Sequence, residues 1–218
     1  DIQTLLPTEP TFEEAGSQEV LDYMLLAREK LINSITLAQS DEWKVLKDKE
    51  EVALYLYNGE ESGVKTSKRV ASFNASTEDV FAWFYNPENI KEVNEKVKSS
   101  KSVHEFNDSS RLTRREMKGN LLVSNRDTCV FAHKINLTDG SLAFIAFSIE
   151  HDLVPKTKCV RANVEVAAMV ITPISDTSCT ITSIEKIDPM GSIPTSMVNK
   201  MQDMKHAELV KVKKILDN

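Results

Sequence analysis

The chain has 218 residues and a formal net charge of −6, with 41% hydrophobic and 28% charged residues. This balance is typical of a globular protein with a substantial core, and six Gly and seven Pro residues exclude a disordered or linker-rich chain. The negative net charge argues against nucleic acid as a partner, since that binding depends on neutralising phosphates. No apolar run approaches the roughly 20 residues that a membrane-spanning helix needs.

The first predicted element is a long helix over 18–39, where apolar residues recur at spacings of three and four without an internal Gly or Pro. Three short runs rich in β-forming residues follow at 43–46, 52–57 and 64–73. Residues 58–63, which include two glycines, predict a turn between the last two strands.

Two short helices are predicted within 77–95. Ser76, with an acid three residues later and apolar residues beyond it, has the pattern of a capping box. Asn86 followed by Pro87 places a cap before a proline in the first helical turn, which predicts a second helix ending at Glu95.

The rest of the chain predicts strands and one final helix. The predicted strands are 102–107, 110–117, 121–133, 141–150, 159–171 and 178–187. The final helix is predicted over 194–216, and its Met197, Met201 and Met204 fall on one face. Short turns between successive strands favour an antiparallel sheet, and helices set at the ends of the chain favour the α+β class. We therefore expect a single domain over 1–218, with a curved sheet over 43–188 closed by the last helix.

No catalytic or metal site is indicated by the sequence. The four histidines lie far apart without the spacing of a zinc motif, and neither a G-x-S-x-G motif nor a phosphate-binding loop is present. Three cysteines without a C-x-x-C pair favour a reducing compartment. We therefore expect no enzyme, no metal and no cofactor. The chain begins at Asp1 without a signal-peptide pattern, and we expect it to be part of a longer protein or to have lost a leader.

Charged residues interrupt two of the predicted strands. One strand carries a basic cluster, namely Arg111, Arg114, Arg115 and Lys118. This cluster is either a solvated face paired with acids or a face with one inward arginine that receives an anionic head group. Arg126 and Asp127 are adjacent, so only one of them can face an interior. The methionines of the last helix are either core or the adaptable wall of a ligand cavity.

Three motifs recur together in the second half of the chain. They are Asn125-Arg126-Asp127, the stretch 147–155 with Cys159-Val160-Arg161-Ala162, and Asp188-Pro189-x-Gly191-x-Ile193-Pro194 leading into 197–200. Their order and spacing resemble the START domain, the lipid-transfer module related to the steroidogenic acute regulatory protein. The resemblance extends from about Val20 to Leu216, and the middle motif is most similar to the ceramide-transfer branch.

The resemblance implies a helix-grip fold, in which a curved antiparallel nine-stranded sheet surrounds a long C-terminal helix and a tunnel for one lipid. It implies non-enzymatic lipid binding and transfer between membranes by a cytoplasmic monomer that contacts membranes transiently. The C-terminal helix and the loop near 134–141 would form the lid. Two alternatives stay open: a lipid-sensing module of a longer protein, and a hydrolase or cyclase on a related helix-grip scaffold.

Differences from the family bear on the choice of lipid. Sterol-binding members have an acid and a second arginine at positions that are here Leu112 or Thr113 and Ala132, so a sterol is disfavoured. The ceramide branch has a Glu and an Asn at positions that are here Asn94 and Ala146. The arginine cluster suits a phospholipid, and a phospholipid or a sphingolipid is therefore expected.

Strand parity and the resemblance together give the expected binding set. Residues 142, 144, 146 and 148 of one strand would point inward, since alternate residues share a face. Arg114 would receive the head group, and Arg114→Ala would abolish phosphatidylcholine extraction. The expected ligand-binding residues are Asn94, Thr113, Arg114, Arg126, Leu142, Phe144, Ala146, Ser148, Met197, Met201 and Met204.

Overall fold

The structure is a computed structural model that describes residues 2–59, 63–120, 123–193 and 195–218. The described helices are α1 (Ile2–Leu5), α2 (Phe12–Ala15), α3 (Gln18–Ala38), α4 (Thr77–Tyr85), α5 (Ile90–Val93) and α6 (Thr195–Leu216). The described strands are β1 (Trp43–Lys49), β2 (Val52–Tyr57), β3 (Ser67–Phe73), β4 (Val97–Asn107), β5 (Ser110–Met117), β6 (Arg126–Asn136), β7 (Leu142–Ser148), β8 (Val160–Arg161), β9 (Asn163–Ser175) and β10 (Ser178–Asp188). Parts of the predicted turn at 58–63 and strand at 121–133, and Pro194 of the predicted last helix, lie outside the described residues.

The strands form one sheet in the order β1-β2-β3-β10-β9-β7-β6-β5-β4, and every neighbouring pair on this path is antiparallel. The two-residue β8 lies off the path and pairs in parallel with β6. The α+β helix-grip prediction is confirmed, with nine strands on the main path. The strand predicted over 159–171 is instead divided into β8 and β9, because Ala162 donates its N–H to the Asp127 carbonyl oxygen at 2.9 Å.

Helix α3 covers one face of the sheet, which we call the outer face. It begins after Ser17, whose hydroxyl accepts a hydrogen bond from the Val20 N–H at 3.2 Å and caps the helix. Its Met24, Ala27 and Leu31 are buried in the outer core. The helix spans almost the range that its apolar spacing predicts.

Strand β7 contributes side chains to both faces of the sheet. Its Ala143, Ile145 and Phe147 are buried in the core that α3 covers. The alternate residues Phe144 and Ala146 point to the opposite face, which we call the inner face. One strand therefore supplies the outer core and the inner face at the same time.

Helix α6 packs on the inner face through both apolar and polar contacts. Leu209 and Val212 are buried in the inner core. The buried His206 places its Nε2 3.0 Å from the Val52 carbonyl oxygen. Near the end of the helix, the Lys213 ammonium donates to the Ser72 carbonyl oxygen at 2.6 Å. The helix is thus held to β2 and β3 along its second half.

The short helices differ most from the sequence-based expectation. Helix α5 begins at Ile90 instead of Pro87, because Asn86 caps a turn in which its Oδ1 accepts from the Glu88 N–H at 3.1 Å. It also ends before the predicted Glu95. Helices α1 and α2 were not expected, since four residues are too few to show a helical period. Helix α4 starts after Ser76, as its capping box predicts.

The loop between β6 and β7 lies against the N-terminal segment. Thr138 donates its N–H to the Leu5 carbonyl oxygen and its hydroxyl to the Thr4 carbonyl oxygen, each at 2.9 Å. The neighbouring Leu137 is buried in the outer core. This loop is therefore on the α3 side of the sheet, opposite α6, and the expectation that it forms a lid is wrong.

His133 in β6 is a buried group whose charge state affects folding. Its side chain is 7% exposed, and its Nδ1 lies 2.8 Å from the Ser110 hydroxyl. Burial lowers the pKa of His133 to about 4, so the imidazole is neutral at pH 7. As pH falls from 6.5 towards 4, the unfolded chain takes up this proton before the folded chain does.

We predict that this difference makes the protein less stable as pH falls through that range. The wild type should lose about 3 kcal/mol more of its free energy of unfolding between pH 6.5 and pH 4 than His133→Gln does. Urea unfolding at a series of pH values measures both curves. Parallel curves for the two proteins would contradict the neutral, buried state of His133.

Candidate functional site

A cavity of about 230 Å³ lies between α6 and the inner face of the sheet. Most of its wall is apolar, and the larger apolar side chains are Trp83, Phe84, Val130, Phe144, Met169 and Val212. They come from α4, β6, β7, β9 and α6, so the cavity is a property of the folded domain and not of one segment. Apolar cavities of this kind are the usual sites for small-molecule ligands.

Charged side chains line the same cavity. Glu185 of β10 forms ion pairs with Arg69 of β3 and with Lys205 of α6, the second at 2.7 Å. Burial by itself would raise the pKa of Glu185, but the charges of Arg69 and Lys205 outweigh burial and lower it to about 2. Glu185 is therefore ionised at every physiological pH, and it joins the sheet to the helix.

A second carboxylate and a third cation complete the charged set. Glu208 of α6 accepts a hydrogen bond from the Asn94 amide at 2.6 Å, and burial raises the pKa of Glu208. Arg115 of β5 donates from Nε to the Ser100 hydroxyl at 3.3 Å and forms no ion pair with any residue that the structure describes. Burial lowers the pKa of Arg115, and the charges of Glu208 and Glu185 oppose that change.

Arg114, the arginine expected to face the ligand, points to the outer face. Alternation along β5 places Thr113 and Arg115 in the cavity wall, and Arg114 between them on the other side. The Arg114 Nη2 lies 3.3 Å from Asp127, whose carboxylate also accepts from the Arg161 Nε at 2.7 Å. The inward arginine is Arg115, and the expected head-group role of Arg114 does not fit its contacts with Asp127.

Arg126 connects the sequence motifs that suggested the family. Its guanidinium donates to the carbonyl oxygens of Pro189 at 3.4 Å and Met190 at 3.2 Å. The chain turns next to that guanidinium at Gly191, whose φ of +73° favours glycine. Val160 pairs with Arg126 through β8. Arg126 therefore positions the chain that enters α6 and does not line the cavity.

The other expected residues differ in whether they reach the cavity. Thr113, Phe144 and Ala146 line the cavity. Asn94 reaches the cavity wall only through its hydrogen bond to Glu208.

Leu142 and Ser148 lie at the two ends of β7 and are not part of this cavity wall. The Ser148 hydroxyl accepts from the Val164 N–H at 2.8 Å, which is a contact within the sheet. Their parity is the one that the sequence predicts, but only the middle of β7 reaches the cavity.

The three methionines of α6 are half-buried and lie outside the cavity wall. Met201 and Met204 precede Lys205 and Glu208 by one turn, so they continue the same helix face towards the N-terminus. The cavity face of α6 is supplied instead by Lys205, Glu208, Leu209 and Val212.

The charged cavity residues were missed in the sequence analysis, although strand parity contains the signal. Arg69 is in phase with the buried Ala71 and Phe73 of β3, and Glu185 is in phase with the buried Ile181 of β10. A charged residue in the buried phase of a strand needs a partner, and these two are partners of each other.

Two polar residues that could serve the hydrolase alternative, His133 and Glu165, lie elsewhere. His133 is bonded to Ser110 and does not line the cavity. Glu165 is on the other side of β9, with an exposed side chain that pairs with Lys186 at 3.3 Å. Neither residue can reach a ligand in this cavity.

Comparison with known families places these observations in a protein class. The fold is that of a helix-grip domain, the architecture of START proteins. The family model described as "START domain" matches residues 25–214, and the chain belongs to that family. A comparison with curated protein sequences gives no significant match.

Solved structures show the same fold at low sequence identity. Human StAR-related lipid transfer protein 5 superposes with a TM-score of 0.77 and 16% identity over 89% of this chain and 97% of that chain. Human STARD10 superposes with a TM-score of 0.71 and 18% identity, over 82% of this chain and 76% of that chain. A STAR-related lipid transfer protein from Xanthomonas axonopodis superposes with a TM-score of 0.70 and 21% identity, over 82% of this chain and 100% of that chain. No helix in the described part of the chain is long and apolar enough to cross a membrane.

The ion pairs of Glu185 lead to a prediction about stability. Glu185→Gln leaves Arg69 and Lys205 in the cavity wall without their carboxylate, and breaking a buried pair in this way costs about 3–5 kcal/mol. Glu165→Gln, which removes an exposed ion pair on the neighbouring strand, should cost less than about 1 kcal/mol. Urea unfolding of both variants at pH 7 measures the difference. Equal losses in the two variants would show that Glu185 does not hold α6.

Proposed function

We propose that this domain binds one phospholipid or sphingolipid between α6 and the sheet and transfers it between membranes without chemical change. The observation that carries the proposal is a core cavity with a largely apolar wall and one arginine, Arg115, that forms no ion pair with a carboxylate among the described residues. An amphiphile matches both properties, since its chain is apolar and its head group accepts hydrogen bonds. Membership of the START family and the likeness to proteins named for lipid transfer support the same function.

Burial of the acyl chain supplies the affinity. Each methylene group moved from water into an apolar environment contributes about 0.8 kcal/mol. The head group then meets Arg115 and Thr113, both of which line the cavity. Arg115 replaces Arg114 as the proposed head-group residue because it is on the inner face.

The volume of the cavity indicates what must move. A cavity of about 230 Å³ holds roughly eight groups of the size of a water molecule. A lipid with two acyl chains is several times larger, so the cavity has to widen to admit it, and we propose that α6 moves away from the inner face. We propose that contact with a membrane covers the apolar surface that this movement exposes, and that the domain acts as a cytoplasmic monomer between such contacts.

Filling the cavity tests the proposal. Ala146 and Ala167 are opposite each other on β7 and β9, and both line the cavity. Ala146→Phe places a ring in the space proposed for the lipid, and we expect lipid binding to fall at least about tenfold, or 1.4 kcal/mol. The measurement is the lipid-bound fraction in native mass spectrometry after incubation with vesicles, together with the rate of fluorescent-lipid transfer.

A matched control is Ala207→Phe, on the exposed side of α6. It adds the same ring outside the cavity and should leave binding and transfer unchanged. Thermal unfolding of both variants tests whether they fold. Undiminished binding by a folded Ala146→Phe protein would show that the lipid does not occupy this cavity.

A further inference from the structure

The charges that line the cavity do not balance. Three cations, Arg69, Arg115 and Lys205, face two carboxylates, Glu185 and Glu208. Glu185 is shared by Arg69 and Lys205. The cavity wall therefore carries at least one positive charge in excess, and a larger excess when Glu208 is protonated.

Arg115 is the cation that accounts for the excess. Its Nε donates to the neutral Ser100 hydroxyl, and no carboxylate among the described residues forms an ion pair with it. The charges of Glu208 and Glu185 act on Arg115, but neither carboxylate forms an ion pair with it, so the donors of this partly buried guanidinium are available to an acidic group in the cavity. The guanidinium offers a planar set of donors, which suits the two oxygens of an acidic group.

Two further donors in the cavity wall lack partners in the described structure. Thr113 is 7% exposed and its Oγ1 has no hydrogen bond, and Trp83 is 9% exposed and its Nε1 has none. Both residues line the cavity together with Arg115. Buried polar groups are nearly always paired, so these atoms indicate that a hydrogen-bond acceptor is needed in this cavity.

We infer that the cavity selects lipids whose head group carries a net negative charge, and that Arg115 binds the acidic group. This inference rests on the proposed lipid binding in this cavity and adds the charge of the head group as the property that is selected. A zwitterionic head group brings its own cation and leaves the excess charge uncompensated. A neutral head group, such as that of ceramide, supplies acceptors without charge. A phosphate monoester or a carboxylate supplies both hydrogen-bond acceptors and a negative charge.

A competition experiment measures this selection. The protein is incubated with vesicles that contain equal amounts of phosphatidylcholine, phosphatidic acid, oleic acid and ceramide, and the bound lipid is identified by native mass spectrometry. We expect phosphatidic acid or oleic acid to be enriched at least about tenfold over phosphatidylcholine and ceramide. Vesicles with only one of the two acidic lipids show whether a phosphate or a carboxylate is the better head group.

Variants assign the selection to Arg115. Arg115→Gln should lower the enrichment of acidic lipids to less than about twofold while binding of phosphatidylcholine persists, and Arg115→Lys should retain part of the enrichment because it keeps the charge. Arg114→Gln is the matched control, since it removes the neighbouring charge on the outer face. Thr113→Val is a second cavity variant that leaves all charges in place and should weaken acidic lipids less than Arg115→Gln does.

The possible outcomes separate the two proposals. Equal uptake of all four lipids, or a preference for phosphatidylcholine or ceramide, overturns the charge selection and leaves lipid binding intact. Enrichment that is unchanged in a folded Arg115→Gln protein overturns the role of Arg115. If Arg115→Gln does not fold, the other two arginine variants decide. Enrichment of acidic lipids that is unchanged in Arg115→Lys but lost in Arg114→Gln also overturns the role of Arg115. Uptake of none of the lipids contradicts the proposed function itself.

Discussion

Glu185 joins helix α6 to the sheet by binding cations from two different elements, in addition to the apolar and backbone contacts of the second half of the helix. Arg69 comes from β3 and Lys205 from α6, and Arg69 also donates to the Lys205 carbonyl oxygen at 3.4 Å. None of these side chains can leave the others without exposing the interior to an unpaired charge. The cavity lies where this set meets Phe144 and Met169. The same residues thus link the helix to the sheet and line the cavity beneath it.

A second constraint acts through adjacent residues of β6. Asp127 is buried on the outer face, where Arg114 and Arg161 bind its carboxylate. Arg126 points the other way and binds the carbonyl oxygens that precede α6. Because the two side chains belong to neighbouring residues, the loop held by Arg161 and the start of α6 are fixed relative to each other. This explains why three separate motifs indicated one family, since they meet at this dipeptide.

Local patterns predicted the elements better than the site. Helix α3 and the N-cap of α4 are set by residues a few positions apart, and both were predicted closely. The ion pair between Arg69 and Glu185 joins residues 116 positions apart, and no short pattern contains it. The inner face of β7 was predicted because its parity is regular. On β5 both faces carry an arginine, so the alternation of polar and apolar residues does not show which arginine points inward. Arg114 was therefore assigned to the face that Arg115 occupies.

The alternation of β7 has a consequence for how such domains diversify. Ala143, Ile145 and Phe147 determine how well α3 packs, whereas Phe144 and Ala146 shape the space available to a ligand. Substitutions at the second set alter cavity size without changing the α3 interface, and substitutions at the first set do the reverse. Cavity shape and the α3 interface can therefore change separately within a strand of seven residues, so single replacements can alter the space beneath α6 while the outer core stays the same.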